Sequence, residues 1–145
     1  MKTGRFNAGA GLIVMALFML YGFLLIYLRD FAPDKEAWVA SYSVGKHFEA
    51  RLAHVHGNLF ALLNLALAFV LARLTSASDR GRTAVAVLGL AGLLMPAGIL
   101  GEVYLGLSPI FVLLGAVAMT ASVFLAGVLS LRHWREAPGR QASDA

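Results

Sequence analysis

The sequence predicts an all-α polytopic membrane protein, an antiparallel bundle of four transmembrane helices. Two observations carry that prediction. The chain of 145 residues is 59% apolar and only 14% charged, whereas a soluble domain is nearer half apolar and about a quarter charged. The excess is gathered into four long runs rather than spread along the chain, the pattern of a chain solvated by lipid. One domain is expected over residues 1–136. A polar, disordered tail over 137–145, containing Pro138 and Gly139, is expected after it.

The first span covers about Ala8–Leu28 and contains no Asp, Glu, Lys or Arg. It follows Lys2 and Arg5, as the apolar core of a signal peptide would. However, the uncharged stretch from Phe6 is longer than the roughly 7–15 residues of such a core. No small-x-small site follows it before Arg29 and Asp30, so it reads as a retained helix. Tyr27, near its far end, suits the membrane interface. The connection Arg29–Arg51 carries four basic and four acidic residues. Within it, Pro33–Trp38 looks like a helix start, with Asp34 and Glu36 early. Lys46–Arg51 has no breaker after Gly45 and is expected to extend the second helix outward.

The second span covers about Leu52–Ala72, the third about Thr83–Gly101 and the fourth about Pro109–Leu131. Each is close to the roughly 20 residues that cross the hydrocarbon at about 1.5 Å per residue. Between the second and third, Thr75, Ser76, Ser78 and Asp79 supply turn and cap residues. Pro96 should kink the third span and free the carbonyl four residues before it. Before the fourth, Ser108 can cap and Pro109 suits a first turn. Gly89 and Gly92 in the third span, with Gly115, Ala118 and Ser122 in the fourth, allow close backbone approach. Gly98 and Gly101 make the outer half of the third span bendable. That half is expected either to pack closely on another helix or to leave room for a flat cofactor.

Charge sets the expected orientation. Lys2, Arg5, Arg73, Arg80, Arg82, Arg132, Arg135 and Arg140 fall on one side and Arg29, Lys35, Lys46 and Arg51 on the other, eight against four. The N- and C-termini should therefore be cytoplasmic, with the protein integral to a bacterial inner membrane. The net charge of +4 flanks apolar segments and forms no separate patch, so nucleic acid is not an expected partner. The absence of cysteine excludes disulfides, thiolate metal sites and thiol catalysis by this chain.

Polar side chains inside lipid-embedded segments are costly and therefore informative. His54, His56 and Asn58 lie at the outer end of the second span, Glu102 and Tyr104 at the outer end of the third, and Ser108 opens the fourth. Asn64 sits deeper, where it is expected to hydrogen-bond across helices. His47, Arg51, His54 and Asn58 step by four, three and four, so they share a helix face. His56 lies about 200° round the helix from His54, so the two cannot chelate one metal from an unbroken helix. A single histidine as axial ligand to a haem iron is compatible with the helix. The alternatives are ordinary: an interfacial histidine, a solvated Glu102, and a Tyr104 of the aromatic belt.

The stretch Arg51-Leu52-Ala53-His54, followed by Ala66-Leu67-Ala68-Phe69-Val70-Leu71, resembles the styrene oxide isomerase family. There a Trp-Ala-Arg-Ala-His stretch leads into a similar Ala-Phe-Val-Leu run at the same distance. Gly9-Ala10-Gly11-Leu12-Ile13 and Ser108-Pro109 also fall in comparable places, so the likeness covers roughly residues 9–110. It implies a small four-helix membrane protein that forms homotrimers and binds haem b near subunit interfaces. Ferric iron there acts as a Lewis acid on a small apolar epoxide, and a hydride shift gives an aldehyde without net redox change. By resemblance, His54 would hold the iron and Tyr104 would orient the epoxide. The family's asparagine falls on Phe60, with Asn58 and Asn64 to either side, and its tryptophan falls on Ala50. His56 remains a second candidate for contact with the cofactor. The competing expectations are a non-catalytic haem- or metal-binding membrane protein and an accessory subunit of a membrane complex.

Overall fold

The computed structural model describes residues 4–133. The helices are α1 (Arg5–Asp30), α2 (Lys35–Ala40), α3 (Gly45–Arg73), α4 (Asp79–Gly92), α5 (Leu94–Leu105) and α6 (Ile110–His133). α4 and α5 together form one span, so four helices are long and apolar enough to cross a membrane: Arg5–Asp30, Gly45–Arg73, Asp79–Leu105 and Ile110–His133. The all-α, four-helix bundle expected from the sequence is the fold observed. The tail over 137–145 lies outside the described residues.

The helices are longer than the apolar runs because both ends project beyond them. α3 begins at Gly45, whose φ of +59° is open to glycine and strained for other residues. It then runs on through Arg51 without interruption. The short α2 forms where Asp34 and Glu36 were read as a helix start, and the Asp34 side chain makes no capping bond. Ser78 caps α4 by accepting from the Gly81 N–H at 3.2 Å. Ser108 accepts from the Ile110 N–H at 3.3 Å, at the start of α6.

The third span breaks at Leu93, three residues before Pro96. Proline has no N–H to return to the Gly92 carbonyl, and its ring crowds that turn. The chain tightens there through a Leu93 N–H bond to the Leu90 carbonyl at 3.1 Å. The glycines around the break are filled by α6. A Cβ on Gly92 would meet Met119 Cε at 2.7 Å, and one on Gly98 would meet Val112 N at 2.9 Å. A Cβ on Gly115 would run into the Met95 backbone. Close packing of these glycines on α6 is what the structure shows for this half-helix.

α1 packs chiefly on α3, α3 on α5 and α4, and both α4 and α5 on α6. One apolar cluster (Phe60, Leu67, Leu71, Val85, Ala86, Met119, Ala126) joins α3, α4 and α6. A second (Phe18, Ala53, Ile99, Val103) joins α1, α3 and α5 at the end of the bundle near α2. Lipid tails are as apolar as these side chains, so close contact and hydrogen bonds, rather than burial alone, must hold such helices together. α1 turns Leu12, Ile13, Leu17, Leu20 and Phe23 outward, the surface a lipid-facing helix requires. Up-and-down threading puts the start of α1, the α3–α4 turn and the end of α6 at one end of the bundle, here the terminal end. α2 and the α5–α6 turn occupy the other, the loop end.

Candidate functional site

His54 lies toward the loop-end half of α3, facing α1. The sequence provides for it by placing Gly22 opposite: a Cβ there would come 2.7 Å from His54 Cε1. The imidazole therefore occupies a notch in α1 that any larger residue would fill. Phe18, one turn away on α1, lies against Gly57 of α3 and edge-on to Tyr21, with ring centroids 6.2 Å apart. Tyr21 in turn stands 6.4 Å from the His54 ring. The second apolar cluster is thus the floor that fixes these rings.

The His54 side chain has no hydrogen bond among the described residues, and its Nδ1 is sealed from solvent without a partner. A buried polar atom left unsatisfied costs about 1–3 kcal/mol, and such atoms in native structures ask for a reason. The ring opens on a groove of about 400 Å³ along α1, lined by Met19, Gly22, Phe23, Leu25, Ile26 and His54. His54 is the one polar side chain in that lining. A smaller pocket of about 180 Å³ adjoins it toward the loop end, sharing Leu25 and Ile26 and reaching Arg29, His47 and Arg51.

The other residues singled out by the sequence are distributed differently. Tyr104 meets Tyr21, hydroxyl to hydroxyl at 2.9 Å. It therefore joins the His54 neighbourhood through Tyr21 and does not line the groove. Asn58 donates to the His54 backbone carbonyl at 2.9 Å, a bond within its own helix. The His56 Nδ1 lies 2.9 Å from the Leu52 carbonyl, and its ring meets Phe60 edge-on. That is the divergence from His54 which their spacing requires. Glu102 is exposed. Asn64 lies ten residues from His54, about 15 Å along the helix, and its amide is fully engaged. It donates to the Phe60 carbonyl at 3.0 Å and the Gly89 carbonyl at 2.9 Å, and accepts from Asn7 at 2.8 Å. The structure therefore brings His54 and Tyr104 into one neighbourhood and keeps His56, Asn58 and Asn64 out of the groove.

Two residues of this neighbourhood escape sequence reasoning. Tyr21 links the histidine to Tyr104, both on other helices, and nothing local in the first span marks that role. Gly22 forms the notch, and nothing in the first span marks it out from Gly9 or Gly11. His47 also departs from the interfacial reading. It is buried beneath α2, stacked on Trp38 with centroids 4.4 Å apart, and its Nδ1 lies 2.6 Å from the Trp38 carbonyl. Arg51 lies over the Tyr42 ring at 3.6 Å, a cation–π contact. Among the described residues, no three His, Cys, Asp or Glu side chains group as a metal cluster.

No protein-family model, curated protein or solved structure matches the chain.

Proposed function

We propose that this chain is a haem-binding membrane protein of the styrene oxide isomerase type, with His54 as the ligand to iron. The observation that carries the reading is the His54 imidazole itself, without a hydrogen-bond partner and set by Gly22 at the edge of an apolar groove. Imidazole is a common ligand to haem iron. Arg29 and Arg51 line the adjoining pocket, and each would have to leave its present partner, Asp30 or the Tyr42 ring, to meet a carboxylate of haem b. The groove walls belong to one face of α1, so this chain offers one side of a flat ligand. A neighbouring copy would complete the other, in keeping with a homotrimer. Bacterial inner membrane, with both termini cytoplasmic, is the setting proposed.

A ferric haem held by His54 would supply Lewis-acid activation of an epoxide oxygen. The chain's own part is to hold and to exclude. His54 fixes the metal side, and Met19, Phe23 and Ile26 form apolar walls that suit an oily epoxide and disfavour its hydrolysis to a diol. Tyr104 and Tyr21, joined hydroxyl to hydroxyl with the Tyr21 ring beside the imidazole, would hold the His54 ring in place. In the proposed isomerisation one epoxide C–O bond breaks, a hydride moves to the adjacent carbon, and the oxygen becomes the aldehyde carbonyl. Atoms and electrons balance without a co-reactant.

A second reading, haem binding without turnover, is favoured by a different observation. Tyr104, Asn58 and Asn64 all bond to other protein groups, and His54 is the one polar residue in the groove lining. The absorbance spectrum of the detergent-purified protein decides first. A Soret band that disappears in His54→Ala is expected. A colourless preparation co-purifying with a partner would instead favour an accessory subunit, and a band unchanged by the substitution would remove His54 from the site. Aryl epoxide turnover by the coloured protein then separates the isomerase from the binding protein.

A further inference from the structure

At the terminal end, away from the histidine groove, the chain builds a second site. A trench of about 520 Å³ runs between α1 and α3, walled by Ala8, Leu12, Leu65 and Phe69, with Arg5 and Arg82 also lining it. Its lower edge is fixed by Gly4, where a Cβ would come 3.0 Å from the Ala68 carbonyl oxygen, so the first turn of α1 is held against α3. Arg82 enters from α4 and is 8% exposed. Among the described residues its ion-pair partner is Asp79, at 3.5 Å, with an Asp79 side chain that is 96% exposed. The Arg82 Nε is sealed from solvent and has no hydrogen-bond partner.

A buried guanidinium with an unmatched N–H is among the more costly groups a fold can carry. Its planar fork matches the oxygens of a phosphate. Arg5 is exposed at the same trench, 5.4 Å from the Phe6 ring, and brings a second positive charge. Beyond the two arginines the trench is apolar for more than a helical turn, from Ala8 to Leu12. Two cations beside an apolar channel at the end of a membrane span describe a ligand with an anionic head and an acyl chain. Basic pockets of this kind between transmembrane helices bind acidic lipid headgroups.

We propose that the trench binds an anionic phospholipid, with Arg82 and Arg5 on its phosphate and an acyl chain along Leu12, Leu65 and Phe69. The net negative charge matters, because the only acid paired with Arg82 among the described residues is solvated and meets it at 3.5 Å. A zwitterionic lipid carries its own cation and gains less from two arginines.

Native mass spectrometry of the full-length protein tests this. It is released from mild detergent after exposure to equal amounts of phosphatidylglycerol and phosphatidylcholine with the same acyl chains. The wild type should retain phosphatidylglycerol in preference. Arg82→Gln and Arg5→Gln should each reduce that preference, by about five-fold for the loss of one basic contact near an anionic headgroup. Arg5 is exposed, so its variant carries the test if Arg82→Gln does not fold. Equal retention of the two lipids by the wild type overturns the proposal, as does an undiminished preference in the folded variants. Displacement of phosphatidylglycerol by millimolar inorganic phosphate alone would assign the arginines to a free anion and remove the lipid.

Discussion

Asn64 satisfies three partners on three helices with one amide, and Asn7 completes the set by donating to Asn64 at 2.8 Å and to the Ala86 carbonyl at 2.9 Å. Both asparagines are fully buried. Gly89 makes the meeting possible, since a Cβ there would stand 3.0 Å from Asn7 Nδ2 and 3.2 Å from Asn64 Oδ1. In lipid such bonds average about 0.6 kcal/mol and reach about 1.7 kcal/mol, so the pair should be measurably coupled without dominating stability. A double-mutant cycle of Asn7→Ala and Asn64→Ala, read by unfolding in detergent, should give a coupling of about 0.5–2 kcal/mol, with any Soret band retained in both single variants. Strictly additive losses would show that the asparagines act separately. Asn64 was legible in the sequence because its depth in an apolar run left it no water. Asn7 was not, because it precedes the expected first span by one residue, where an amide reads as solvated. What buries it is the lean of α1's first turn onto α3 and α4, a tertiary fact with no local signature. His54 divides the same way: its helix face could be derived from spacing, but the notch at Gly22 that receives it belongs to another helix.

Individual elements were legible where a local cause fixes them. Pro96 announced the break between α4 and α5, Ser78 and Ser108 announced caps, and Gly45 marked where α3 begins. Which glycines matter was not legible, because a glycine's use depends on what lies across from it. Gly98 and Gly115 face backbone atoms of the neighbouring helix, which cannot rotate away, whereas Gly9 and Gly127 have open space where a Cβ would go. The two pairs should respond oppositely to alanine. Gly98→Ala and Gly115→Ala should destabilise by about 1–3 kcal/mol through overpacking. Gly9→Ala and Gly127→Ala should be neutral or stabilise by up to about 1 kcal/mol, the helix-propensity difference. Melting midpoints in one detergent provide the comparison. A similar loss at all four positions would mean that these glycines serve flexibility and not the seam between α5 and α6.

For the molecule as a whole, the balance of charge between its two ends bears on which way it would sit in a membrane. Among the described residues the terminal end carries five Lys and Arg and the loop end four, and the full sequence splits eight to four in the expected topology; it is the count of basic residues, with little weight from acids, that orients a multispanning chain. At the loop end Arg29 is further committed to Asp30 at 2.7 Å, and Arg51 lies over the Tyr42 ring. At the terminal end Arg5 and Arg82 face a trench suited to the acidic lipids of a cytoplasmic leaflet. Both features support the proposed orientation, with the α3–α4 turn inside. Because the chain has no cysteine, single introduced cysteines report on it without background. Ser43 and Ser76 are both exposed, the first before α3 and the second in the α3–α4 turn, and neither makes a side-chain bond that the fold needs. In intact cells stripped of their outer barrier, a membrane-impermeant maleimide should label Ser43→Cys and leave Ser76→Cys unlabelled until the membrane is permeabilised. The reverse pattern would invert the molecule, put the histidine groove nearer the cytoplasm, and set the two arginines of the trench against the outer leaflet.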